Sequence, residues 1–135
     1  MSMNSRSITI VDDDEAVRHS LQALLETAGL SVDVYPTGED FLAAADAAGG
    51  AAGGTGCLIL DLHLPGLDGV QILERLRDAG ATTPVILISA RFDPSTRARA
   101  AQAGALALLE KPLRERALLD GIERALNPVD TRVEA

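Results

Sequence analysis

The sequence predicts an α/β fold: an open, mostly parallel sheet with helices on both faces. Three observations lead there. Short apolar runs recur along the chain and are nearly continuous rather than alternating, as strands buried on both faces of a parallel sheet are. Segments with helical apolar periodicity lie between them. The two kinds alternate as five successive βα units, an order that argues for a parallel sheet covered on both sides.

In chain order, the first strand is Ser7–Val11 (SITIV). Ala16–Ala28 follows as a helix, with Val17, Leu21, Leu24, Leu25 and Ala28 on one face and Gly29 as its stop. Ser31–Tyr35 (SVDVY) alternates, which suits a less buried second strand. Thr37 or Gly38 opens a second helix carrying Phe41 and Leu42. The Ala/Gly-rich stretch 43–56 reads as the end of that helix plus a flexible loop. Cys57–Leu60 (CLIL) is the third strand, and Val70, Leu73, Leu76 and Arg77 belong to a third helix closed by Gly80. Pro84–Ile88 (PVILI) is the fourth strand, followed by a helix over Pro94–Ala103 that Gly104 ends. Ala105–Leu109 (ALALL) is the fifth strand. The last helix, Arg114–Leu126, places Leu118, Leu119, Ile122 and Leu126 on one side, with Pro128 beyond its end. Residues 1–127 thus read as one domain, and 128–135 as a loose tail or the start of a linker.

Composition narrows the function. At 135 residues and 47% hydrophobic, the chain can bury a core without metal or disulfide staples, and Cys57 is its single cysteine. With two Phe, one Tyr and no Trp, that core is built from Leu, Ile, Val and Ala. Twenty acidic residues against twelve basic ones give a net charge of −8, which argues against direct nucleic-acid binding by this chain. No apolar run approaches a membrane span and no signal peptide is visible, so a cytoplasmic location is expected.

Ligands in such sheets bind beyond the carboxyl ends of the strands. The first strand runs into Asp12, Asp13 and Asp14, the third ends at Asp61, the fourth at Ser89, and the fifth runs into Lys111-Pro112. Carboxylates gathered in one cleft repel each other unless one is protonated or a cation neutralises them, and oxygen ligands of this kind suit Mg²⁺. A bound divalent ion would shield Asp61 from an incoming phosphoryl group. Lys111 would add a point charge to the phosphoryl oxygens, and Ser89 a hydroxyl to bond them after transfer. These residue types match what phosphoryl transfer to a carboxylate requires.

The pieces VDDDEAVR (11–18), LDLHLPGLDG (60–69), ILISA (86–90) and LEKP (109–112) together resemble a bacterial two-component response-regulator receiver domain, over about Arg6 to Leu126. The segment VDDDEAVRHSL resembles receivers that precede a helix-turn-helix output domain. The resemblance implies a flavodoxin-like (βα)5 three-layer sandwich with strand order 2-1-3-4-5. It implies an aspartyl phosphate at Asp61, formed from a phosphohistidine on a sensor histidine kinase or phosphotransfer protein. Mg²⁺, or Mn²⁺ in its place, would be held by Asp12, Asp13, Asp61 and the backbone carbonyl of His63. Lys111 and Ser89 would serve as the lysine and switch hydroxyl, and Lys111–Pro112 would be cis. Such a protein is a signalling phosphoacceptor that catalyses only its own phosphorylation and dephosphorylation. A phosphorylation-dependent homodimer through the fourth helix, fifth strand and fifth helix is a further implication.

Plainer readings exist for each residue. Aspartates after a strand are commonly helix caps, as expected of Asp14, and Asp68-Gly69 is a turn and helix entry without assigned chemistry. Cys57 is core filler, and His19 is a surface residue. The side chain of His63 overlooks the phosphoryl site, and Arg91 stands where it would shape access. A haloacid-dehalogenase-type phosphatase would want an aspartate at position 63, and a flavin binder would want aromatic walls and a first loop rich in Gly, Ser or Thr. One position departs from the family pattern. Leu108 stands where receivers commonly carry Tyr or Phe, so the coupling of Ser89 to the face of the fourth helix and fifth strand is expected to be weaker or differently wired.

Overall fold

A computed structural model describes residues 7–47 and 55–127. Ten elements alternate in chain order: β1 (Ser7–Val11), α1 (Glu15–Thr27), β2 (Ser31–Tyr35), α2 (Gly38–Ala47), β3 (Cys57–Asp61), α3 (Gly69–Asp78), β4 (Val85–Ser89), α4 (Pro94–Gln102), β5 (Ala107–Glu110) and α5 (Glu115–Leu126). The strands form one parallel sheet in the order β2-β1-β3-β4-β5. The apolar runs explain this order. β3 and β4 are buried at every position, and the four hydrophobic or nearly hydrophobic inner positions of β1 are too. β2 and β5 take the edges with mixed burial, as the alternating pattern of Ser31–Tyr35 foretells.

Alternation along each strand divides the core into two layers. On one side Ile8, Ile10, Ile59, Ile86 and Ile88 pack with Leu21 and Leu25 of α1 and Leu118 and Ile122 of α5. On the other, Leu58, Leu60, Val85 and Leu87 pack with Phe41 of α2, Ile72, Leu73 and Leu76 of α3, and Ala100 of α4. The arrangement is a three-layer sandwich, and the core sits on both faces of the sheet.

Local chemistry sets the helix starts. Asp14 caps α1, its carboxylate accepting from the amides of Ala16 and Val17. Asp68 and Gln71 form a reciprocal capping box on α3. Asp93 caps α4 with Pro94 in the first turn, and the Thr37 hydroxyl accepts from the amide of Asp40 as α2 begins. Asp68-Gly69 is thus the predicted turn and helix entry.

The ends differ in detail from the sequence reading. β4 begins at Val85 rather than Pro84, and the fifth strand begins at Ala107 rather than Ala105. Residues 103–105 instead complete the last turn of α4: the amide of Ala105 donates to the Ala100 carbonyl, and Gly104 supplies the positive φ of 85°. Residues 48–54 of the expected loop, and the expected tail 128–135 with Pro128, lie outside the described residues.

Candidate functional site

The carboxyl ends of β1, β3 and β5 meet at one edge of the sheet, and each arrives with a charged residue. β1 leads into Asp12, fully buried, and Asp13, exposed; β3 ends on Asp61, 4% exposed. Asp12, Asp13 and Asp61 each offer a carboxylate oxygen, and these oxygens all lie within 4.8 Å of one another. Lys111, following β5, places its ammonium nitrogen 3.4 Å from Asp12 Oδ2 and 3.5 Å from Asp61 Oδ2. The Lys111–Pro112 peptide bond is cis.

The turns holding these groups are hydrogen-bonded in detail. Asp12 accepts from the amide of Asp14 at 2.9 Å, and its own amide donates to the Tyr35 carbonyl at 3.2 Å. Asp61 accepts from the amide of His63 at 3.3 Å. The amide of Leu62 donates to the Ile88 carbonyl and that of Gly69 to the Leu62 carbonyl, so the loop after β3 folds back under the site.

Electrostatics follow from this crowding. Burial, and next the charge of Asp12, raise the Asp61 carboxyl above its ordinary value, against the opposing pull of Lys111 and the His63 amide. Burial alone would lower the Lys111 ammonium; the Asp61 and Asp12 carboxylates outweigh it and raise the group instead. One ammonium does not balance three carboxylates. The donor set is all oxygen, anionic and open to solvent at Asp13, which fits a small hard dication that keeps several waters. The residues present could therefore hold Mg²⁺ or Mn²⁺.

The other predicted residues fall into place less directly. Ser89 is fully buried at the end of β4, where its hydroxyl donates to the Arg91 carbonyl at 2.7 Å and accepts from the Arg91 amide at 3.1 Å. It is bound to its own loop rather than to Asp61. His63 is exposed two residues after Asp61, and His19 is an exposed residue of α1. Cys57 is buried in the core, where burial pushes its thiol up to about 12 and leaves it unreactive. Leu108 is half-buried on β5 beside Leu87, packed against the α3/α4 layer.

Three residues, two beside the site and one (Arg77) at the opposite edge of the sheet, were not singled out for these roles by the sequence. Arg18 reaches back from α1 and donates to the Asp12 carbonyl at 2.7 Å. Gly69 lies so close beneath the loop that a Cβ there would stand 2.6 Å from the Asp61 carbonyl oxygen and 3.0 Å from Leu62 Cα. Arg77, grouped with the leucines of its helix face, instead bonds four backbone carbonyls: Ala81 and Thr83 before β4, and Ala103 and Gly104 after α4. A glycine at a helix start and an arginine four residues after Leu73 carry no local sign of these distant contacts.

A family model described as the response regulator receiver domain matches residues 8–123. Response regulator protein TodT of Pseudomonas putida is 36% identical over 126 residues, covering 93% of this chain and 53% of TodT. Transcriptional regulatory protein FixJ of Bradyrhizobium diazoefficiens is 33% identical over 123 residues, covering 91% of this chain and 58% of FixJ. The chain spans little more than half the length of these curated relatives. Among solved structures, FixJ-N superposes with a TM-score of 0.77 at 34% identity, covering 91% of this chain and 94% of that one. A CheY-like receiver domain protein from Methanospirillum hungatei gives a TM-score of 0.79 at 25% identity, covering 96% and 98%.

Proposed function

This chain belongs to the response regulator receiver domain family, and on that premise we propose that Asp61 accepts a phosphoryl group from a phosphohistidine donor in a Mg²⁺-dependent reaction. The observation that carries this reading is the convergence of Asp12, Asp61 and the Lys111 ammonium within 3.5 Å contacts at one sheet edge. Asp12, Asp13 and Asp61, whose carboxylate oxygens gather within 4.8 Å of one another, would hold the ion together with the His63 carbonyl. When bound, the ion neutralises the carboxylates and the charge that spreads over the phosphoryl oxygens during transfer.

The chain's own residues do the rest. An Asp61 oxygen attacks phosphorus as the phosphorus–nitrogen bond to the donor imidazole breaks, giving an acyl phosphate and the free histidine. Lys111 already faces that oxygen and needs little movement to contact the new phosphoryl group. Ser89 donates to the Arg91 carbonyl and must give up that bond to donate to a phosphoryl oxygen. That exchange links the chemistry to the loop leading into α4. Attack by water on phosphorus later breaks the Asp61 oxygen–phosphorus bond, releasing inorganic phosphate and returning Asp61 to the carboxylate.

In this reading the protein signals rather than processes a metabolite. Its donor is a sensor histidine kinase or a phosphotransfer protein. Residues 1–127 are the receiver, and 128–135 a tail or the start of a linker. The α4-β5-α5 face is the surface for a partner or a phosphorylation-dependent second copy. The net charge of −8 argues against direct nucleic-acid binding by this chain, and no described helix is long and apolar enough to cross a membrane. The cytoplasm is the fitting compartment.

Incubation with acetyl phosphate and MgCl₂ tests the chemistry. Intact mass should show one phosphoryl group per chain, labile to alkali, absent without Mg²⁺ or in Asp61→Asn, and restored by Mn²⁺. Lys111→Ala should slow its formation by on the order of a hundredfold. Release of many equivalents of phosphate per chain without a stable adduct would sink the proposal in favour of a phosphatase.

A further inference from the structure

Arg18 lies on the second turn of α1, where its backbone amide donates to the Asp14 carbonyl. Its guanidinium turns back along the helix and donates from Nη1 to the Asp12 carbonyl at 2.7 Å. That is short for an N–H···O contact and has the character of a charge-assisted bond. The amide of Asp12 is held from the opposite side, by the Tyr35 carbonyl of β2. Both flanks of Asp12 are therefore fixed.

The consequence falls on Asp13. The Asp12 carbonyl belongs to the same rigid peptide plane as the Asp13 amide, so its direction sets where the Asp13 Cα and carboxylate begin. Asp13 is exposed, and no core packing is available to aim it. Asp14 is taken up elsewhere, its carboxylate spent on capping α1. We infer that Arg18 is a positioning residue, which locks the Asp12–Asp13 peptide plane so that both carboxylates face the oxygen of Asp61. Arg18 has this role only if the Mg²⁺ site proposed above exists.

Charge alone predicts the opposite effect. A guanidinium beside three carboxylates repels an incoming dication, so its removal would tighten Mg²⁺ binding if Arg18 acted through its field. Removing a group that orients metal ligands weakens binding instead. The sign of the change therefore separates the two roles.

Titration of the metal-free 135-residue chain with MgCl₂ at fixed ionic strength, followed through the amide resonances of Asp13 and Asp14, reads this out. Arg18→Ala should bind Mg²⁺ more weakly by on the order of tenfold, with the dispersed spectrum of the sheet residues retained. Arg18→Lys keeps the charge with a single nitrogen and should fall between Arg18→Ala and wild type. If Arg18→Ala loses its dispersed spectrum, Arg18→Lys carries the test. Unchanged or tighter binding in the folded variant overturns the role of Arg18. A wild-type chain that shows no saturable response to Mg²⁺, like Asp61→Asn, overturns the metal site itself.

Discussion

The Asp61 carboxylate stands 4% exposed beside a fully buried Asp12, and burial together with that neighbour raises its pKa from the ordinary 3.8. A carboxyl raised on folding binds its proton more tightly in the folded than in the unfolded chain. Stability then falls as pH rises through the window between the ordinary and the raised value, and the full cost persists above it. Lys111 offsets part of this cost, since its raised pKa gives stability that is kept until pH climbs past 10.5. The metal-free protein at pH 7 should therefore be more stable without the Asp61 charge. Asp61→Asn is expected to raise its melting temperature by roughly 3–8 °C, a gain that shrinks as pH falls toward 3.8. MgCl₂ should raise the wild-type value and leave the variant's nearly unchanged. A variant that melts at or below wild type at pH 7 would show that Lys111 fully compensates. The meeting of Asp12, Asp61 and Lys111 was legible because Asp12 and Asp61 directly follow apolar runs, Lys111 follows another with one residue between, and strand ends of a parallel sheet share one edge. Arg18 was not: nothing in VDDDEAVR tells whether the arginine points to solvent or returns six residues to a carbonyl.

Elements were legible where their signals are local and lost where the partner is remote. The caps at Asp14 and Asp68 follow from side chains bonding amides two or three residues on. By contrast, the run AGALALL is apolar throughout, so composition could not separate the closing turn of α4 from the first residues of β5. Arg77 sits at helical spacing with Leu73 and Leu76, yet its guanidinium joins the ends of α3 and α4 to the start of β4, and the loss of solvent there lowers its pKa. Gly69 is the clearest case of a remote constraint. As the first residue of α3 it reads as an ordinary helix entry. In the fold it lets that helix begin directly beneath the Asp61 carbonyl, with 2.6 Å to the nearest backbone oxygen from where a methyl would be. Gly69→Ala must push helix or strand aside, since neither neighbour is a flexible side-chain end. The expected cost is about 1–3 kcal/mol, read as a lower urea midpoint, with slower acetyl-phosphate labelling because Asp61 moves with its backbone. An unchanged midpoint would mean that the loop between β3 and α3 yields freely.

At the scale of the molecule, the helices are not equally anchored. α3 buries Val70, Ile72, Leu73 and Leu76, and α5 buries Leu118, Ile122 and Ala125, whereas α4 buries Ala100. A helix with so little apolar burial costs least to displace, and local motions concentrate in such elements. Its two ends are held differently. The carboxyl end is tied to α3 through Arg77 and through the Arg99–Glu74 pair at 3.0 Å. The amino end follows Arg91, whose backbone holds the Ser89 hydroxyl, and Phe92, buried beneath the Arg97 guanidinium. In the proposed switch, release of Ser89 toward a phosphoryl group would free the amino end of α4 while Arg77 kept the carboxyl end in place. Leu108 occupies β5 beside Leu87 with a side chain that offers no hydroxyl or ring to carry the change further across the edge strand. Phosphorylation should accordingly shift the amide resonances of residues 90–97 strongly and those of β5 and residues 99–104 weakly. Leu108→Tyr should enlarge the second set without altering the rate at which Asp61 is labelled. Shifts in β5 as large in the wild type as in Leu108→Tyr would show that leucine transmits the switch as fully as an aromatic ring.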